Sequence, residues 1–147
     1  MIDTELLDEL SAVAKAQSID ELSPSAADQV VQSVAASLLE SKPGTWWWTS
    51  LREESFKVDY TDEGLSLLAK LLDDMGSVCL VATDDEPPPW PVFEGPVDAI
   101  IELVSQQRFF EYFVTAPPYD WAVFDTHHNL LVAAGVIVTR AKSTLNR

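Results

Sequence analysis

Apolar positions in the first forty residues recur at helical spacing. Leu6, Leu10 and Val13 form a stripe that predicts a helix from about Asp3 to Gln17, with Asp3 or Thr4 as cap and Glu5 in its first turn. "SIDELSPS" breaks the pattern. Ser23 before Pro24 predicts a new start, because proline at the first helical position gives up only a donor that would be unpaired anyway. The face Ala27, Val30, Val31, Val34 and Leu38 carries this helix to about Glu40, and "SKPG" ends it. The period then changes. "TWWWTSLREESFKVDYTDEG" fits a helix poorly, and its aromatic and β-branched residues favour extended backbone. Phe56, Val58 and Tyr60 alternate with Lys57 and Asp59, which predicts a strand with one dry face.

Glu63 opens a third helix bearing Leu65, Leu68, Ala69 and Leu72, widened by Leu67 and Leu71, with Gly76 as its left-handed stop. "SVCLVATD" reads as a strand and "DDEPPPWP" as a rigid acidic connector. Gly95 and Pro96 start a fourth helix with Asp98 in its first turn, and Val97, Ile100, Ile101 and Val104 fit its stripe. Then come a strand "FFEYFVTA", a turn "PPYD" with proline where a type I turn wants it, a strand "WAVFDT", a turn "HHN" and a strand "LLVAAGVIV". Helices first and strands last imply α+β: N-terminal helices packed on an antiparallel sheet with a C-terminal three-stranded meander. At 147 residues the chain fits a single domain, 1–147, with a helical part over 1–42 and an α+β part over 45–147.

Composition narrows the function classes. Apolar residues make up 47% of the chain and charged residues 22%, a globular rather than a disordered balance. No apolar run approaches the roughly 18 residues of a membrane span. "MIDTELLDELSAVAKAQ" lacks the basic start and apolar stretch of a signal peptide, so a cytoplasmic location is expected. The single cysteine, Cys79, excludes a disulfide framework within the chain and a thiolate-rich zinc site, and reads as a small core residue.

Charge is the strongest global signal. There are 24 acidic residues against 9 basic ones, a net of −15, which disfavours nucleic acid and anionic membranes as partners. The excess is uneven: 21 of the 24 acids fall before residue 106. Simple solubility is one explanation. The other is a negative field that speeds capture of a basic partner.

His127 and His128, the two histidines, stand side by side. In a strand they would point to opposite faces and could not both ligate one metal. In a turn they could, yet zinc needs three or four converging ligands and Asp125 is the one close candidate. Asn129 tolerates left-handed dihedrals and suits the end of a tight connection. The pair therefore reads as a turn first, as the rim of an interaction surface second, and as chemistry last.

Three other segments stand out. In "TWWWTS", an extended backbone would put Trp46 and Trp48 on one side and Trp47 on the other; a tryptophan left exposed there is a candidate binding anchor. "TDDEPPPWP" places Asp84, Asp85 and Glu86 before three prolines, either a solvated loop or a stiff arm presenting carboxylates and Trp90. The spaced ligands and glycine of a calcium loop are missing from it. "LREESFKVDYTDE" adds Glu53, Glu54, Asp59, Asp62 and Glu63, which would join residues 84–86 in one acidic face if the two segments lie adjacent in the sheet. No phosphate loop, dinucleotide fingerprint or nucleophile elbow occurs.

"FFEYFVTAPPYDWAVFDTHHNLLVAAG" resembles a stretch of small bacterial proteins of the polymorphic-toxin immunity type, in which an E-Y strand leads into a W…HH…G hairpin. The resemblance covers roughly residues 109–136, through Glu111, Tyr112, Trp121, His127, His128, Asn129 and Gly135. It implies a protein that neutralises a cognate toxin domain. The expectation is an immunity protein that captures a toxin with a basic cleft through Glu53, Glu54, Asp59, Asp84, Asp85 and Glu86. Trp48 or Trp90 would be buried as anchors, with His127 and His128 at the rim. No catalytic residue, metal or cofactor is assigned, and monomer or homodimer is left open. The alternatives are an SMI1/KNR4-like adaptor or regulatory module and, last, an enzyme using His127, His128 and Asp125.

Overall fold

The computed structural model describes residues 2–40, 47–126 and 128–145. The helices are α1 (Thr4–Ala16), α2 (Pro24–Leu38), α3 (Gly64–Leu72), α4 (Val97–Ser105) and α5 (Val138–Thr144). The strands are β1 (Asp20–Glu21), β2 (Phe56–Asp59), β3 (Ser77–Ala82), β4 (Val92–Pro96), β5 (Tyr112–Thr115), β6 (Trp121–Asp125) and β7 (Leu130–Gly135), with a 3₁₀ turn at Trp47–Thr49. All seven strands join one antiparallel sheet in the order β1-β4-β3-β5-β6-β7-β2. This is the α+β class that the element order implies, and β5, β6 and β7 form the expected meander.

Side-chain caps mark the starts of α1 and α2. The Asp3 carboxylate accepts from the Glu5 amide at 3.2 Å, and the Ser23 hydroxyl accepts from Ala26 at 3.2 Å, just before Pro24. Helix α2 stops at Leu38, short of Glu40, because Leu39 turns extended and bridges Leu51. There the Arg52 amide donates to Leu38 at 2.7 Å and Glu40 donates to Ser50 at 2.9 Å.

Several expectations change. Residues 47–49 form a 3₁₀ turn, not an extended run, so the alternation foreseen for the tryptophans does not hold; Trp46 lies outside the described residues. Helix α3 ends at Leu72 and Asp74 already takes φ +69, so Gly76 (φ +79) is left-handed without being the helix stop. Gly95 and Pro96, expected to start a helix, close β4 instead, and the helix begins after them. The "GVIV" tail does not prolong the last strand: Gly135 (φ +82) turns the chain, and α5 follows. The "PPYD" segment turns as expected, the Tyr119 amide donating to the Ala116 carbonyl at 2.8 Å.

The sheet is buried on both faces. Phe113 and Phe124 are opposed on one face, where Trp47 stacks on Phe113 with ring centroids 5.8 Å apart and meets the edge of Trp90 at 5.0 Å. Helix α2 packs on β6 and β7. The alternate positions Leu80, Tyr112, Val114, Val123 and Asp125 face the other way, where α3, α4 and α5 gather. Cys79 is buried, as expected of a core residue; burial, then the nearby Glu94 carboxylate, pushes its thiol up to about 12. A thiol so held stays protonated and unreactive near neutral pH.

Candidate functional site

The register brings the ends of β2, β3 and β6 together with the starts of β4, β5 and β7. Asp59 opposes Leu130, Asp125 opposes both Leu131 and Tyr112, and Ala82 opposes Tyr112. Asp59, the loop 84–86, Phe109, Glu111, Asp125 and the turn at His128 and Asn129 therefore occupy one end of the sheet. Glu53 and Glu54 do not. They precede β2, and Glu53 lines a cleft at the opposite end with Arg52, Asp120 and Gly135.

The single acidic face imagined for residues 53–63 with 84–86 is thus divided. Three strands, β5, β6 and β7, separate β3 from β2. At strand spacing, Asp59 and Asp84 stand ~19 Å apart across an untwisted sheet.

The acidic loop is anchored rather than loose. The amides of Thr83 and Asp84 both donate to the Glu111 carbonyl, at 3.1 and 2.7 Å, and the Thr83 hydroxyl donates there at 2.9 Å. Asp84 and Asp85 take left-handed φ of +45 and +60. The Trp90 indole donates to the Glu86 carbonyl at 2.8 Å, with the residue only 4% exposed. Trp90 therefore holds the loop from inside and is not a presented anchor. The reason is local: only Pro87, Pro88 and Pro89 separate donor and acceptor, and the chain folds the ring back under its own carboxylates. Trp48 is half-buried, with its ring 5.6 Å from that of His128. Asp85 and Glu86 are exposed, whereas Asp84 pairs with Arg108 at 2.9 Å and Arg108 lies 3.8 Å from Asp3.

The turn reading of the histidine segment holds where it is described. His128 is exposed, its amide donating to the Thr126 hydroxyl at 3.2 Å, and Asn129 takes φ +56. His127 lies outside the described residues. Among the described residues, no three His, Cys, Asp or Glu side chains are grouped to hold a metal.

What the sequence reading missed is a cleft of ≈ 390 Å³ between the start of α3 and the end of α4, lined by Tyr60, Gln107, Phe109, Tyr112, Asp125 and Asn129 among others. Asp125 is 5% exposed, and each of its oxygens accepts a phenol: Oδ2 from Tyr112 at 2.8 Å, Oδ1 from Tyr60. Burial raises its pKa above the ordinary carboxylate value; the two tyrosine bonds act against that, and Glu111 adds to it. Burial first, and then Asp125, push both tyrosines well above the usual phenol value, so both remain donors. The Tyr60 ring lies over Gly64, whose absent Cβ would meet it at 2.6 Å.

Two features open this cleft to a partner. Phe109 is 51% exposed, and the Gln107 Oε1 atom is buried without a hydrogen-bond partner. A signal for Phe109 existed: in an alternating strand, the neighbours Phe109 and Phe110 cannot both face one core.

No curated protein and no solved structure matches this chain. A family model does match, over residues 3–146, and the chain belongs to that family, DUF6756, a family of unknown function.

Proposed function

We propose that this protein is an immunity-type inhibitor: it binds a cognate bacterial toxin domain and covers a basic active-site cleft, performing no bond-making of its own. One observation carries the reading. At one end of the sheet Asp84, Asp85 and Glu86 follow β3 and Asp59 closes the edge strand β2, and the exposed Phe109 with its open cleft lies at that same end. A net charge of −15 supplies the long-range field, and Phe109 takes the anchor role first given to tryptophan. The resemblance of residues 109–136 to immunity-type proteins agrees with this reading, and such a protein acts in the cytoplasm. No helix among the described residues is long and apolar enough to cross a membrane.

The test is the rate of association with a cognate toxin domain. It should fall by at least about tenfold between low and high salt, because exposed charges beyond the Debye length of ~10 Å at 0.1 M are screened. A salt-independent rate would remove the steering mechanism. Capture of a protein other than a toxin would favour the adaptor reading.

A further inference from the structure

The cleft beside Asp125 holds acceptors that no cation among the described residues engages. Among the described residues, the groups acting on Asp125 are two neutral phenols and the like-charged Glu111. A carboxylate offers about four lone-pair sites, and the tyrosine hydroxyls use two of them. Gln107 Oε1 is a further acceptor, buried and unmatched, on a residue that also lines the cleft. A buried polar atom left unsatisfied forfeits its hydration, so a donor brought by a ligand is favoured there. Aromatic surface completes the lining through Tyr60 and Phe109. Arg108 also borders the cleft, but its guanidinium is engaged by Asp84 at 2.9 Å and by the Phe109 carbonyl at 2.9 Å.

We propose that this cleft accepts the guanidinium of an arginine side chain from a basic partner, with Asp125 and Gln107 Oε1 as acceptors and Tyr60 and Phe109 as stacking surfaces. Guanidinium fits better than ammonium for two reasons. Its planar fork of five N–H donors can serve separated acceptors at once, and its flat face stacks on aromatic rings. A cleft of ≈ 390 Å³ lies at the lower end of the range that holds small ligands, ample for one side chain. The inference rests on the acidic sheet end being the docking face, and it names the chemistry that the partner must insert.

The probe is the tripeptide acetyl-Gly-Arg-Gly-amide, titrated into the isotopically labelled full chain and followed by NMR. The Gln107 side-chain amide and the Tyr60 and Tyr112 ring signals should move saturably. The citrulline peptide, isosteric and neutral, and the lysine peptide should each bind at least about tenfold more weakly, as expected when one charge-assisted contact is lost. Asp125→Asn should weaken the arginine peptide by a similar factor. Should that variant fail to fold, Gln107→Ala and Phe109→Ser, at less buried positions, should each weaken it several-fold. Equal binding of the arginine and citrulline peptides overturns the proposal, as do shifts confined to the amides of residues 84–86. Lysine binding as tight as arginine overturns the assignment to guanidinium. Salt-dependent toxin capture with a silent cleft would sink this inference and leave the docking reading intact; a responding cleft with no toxin captured would do the reverse.

Discussion

Tyr112 and Asp125 stand directly opposite each other in the β5–β6 ladder, and the tyrosine hydroxyl donates to Oδ2 of the carboxylate at 2.8 Å. The other oxygen accepts from Tyr60, which follows the edge strand β2 and lies 65 residues earlier in the chain. One buried carboxylate thus links the middle of the sheet to its edge and forms a wall of the cleft.

Removing that acceptor leaves phenols with nothing to bond. Asp125→Ala should cost about 2–4 kcal/mol in urea unfolding, because a buried donor left unmade loses its full desolvation energy. Tyr112→Phe, which deletes one bond while keeping the ring, should cost about 1 kcal/mol.

The same group makes stability depend on pH with a definite sign. Burial raises the Asp125 pKa in the folded state, so the native chain keeps that proton to higher pH than the unfolded chain does. Its contribution is complete below the unfolded carboxylate value of about 3.9, and is lost as pH rises through the higher folded value. Urea midpoints of wild type and Asp125→Asn, compared from pH 3.5 upward, should therefore diverge against the wild type. A constant difference would contradict this.

Gly64 gives way to the Tyr60 ring, which sits 2.6 Å from where a Cβ would be. Gly64→Ala should destabilise by roughly 1–3 kcal/mol through overpacking, and should weaken the bond from Tyr60 to Asp125. In a Tyr60→Ala background the same change should cost much less, a coupling that a double-mutant cycle reads directly.

Two left-handed glycines should behave differently. A Cβ on Gly135 (φ +82) would lie 2.1 Å from the Asp120 carbonyl oxygen, so Gly135→Ala should prevent folding or cost more than about 3 kcal/mol. Gly76 (φ +79) has nothing within 4 Å, so Gly76→Ala should cost only the roughly 1–2 kcal/mol of the left-handed conformation. Thermal unfolding of the two variants side by side separates clash from dihedral strain.

Phe109 is exposed, so Phe109→Ser should change stability by less than about 0.5 kcal/mol. Toxin binding should nevertheless weaken by tenfold or more if this ring is the anchor, a loss measurable as faster dissociation.

The residues by themselves determined the elements whose information is local. The stripes of α1 to α4, the caps at Asp3 and Ser23, and the left-handed Asn129 follow from side chains a few positions apart. The C-terminal meander was legible for the same reason, its apolar runs being separated by short turns. Tertiary structure alone decided the remainder. β4 has no strand signal of its own, ends in the Gly95-Pro96 pair that reads as a helix start, and forms because β3 lies beside it; the last strand reads on through "GVIV" until Gly135 turns the chain into α5. Sheet order separated Glu53 and Glu54 from residues 84–86, and it buried Trp90 beneath the loop it was expected to decorate. Asp125 shows the cause most plainly. A lone carboxylate belongs in water on local grounds, and it becomes a buried acceptor only when strand pairing delivers phenols from positions 60 and 112, partners that its own segment does not specify.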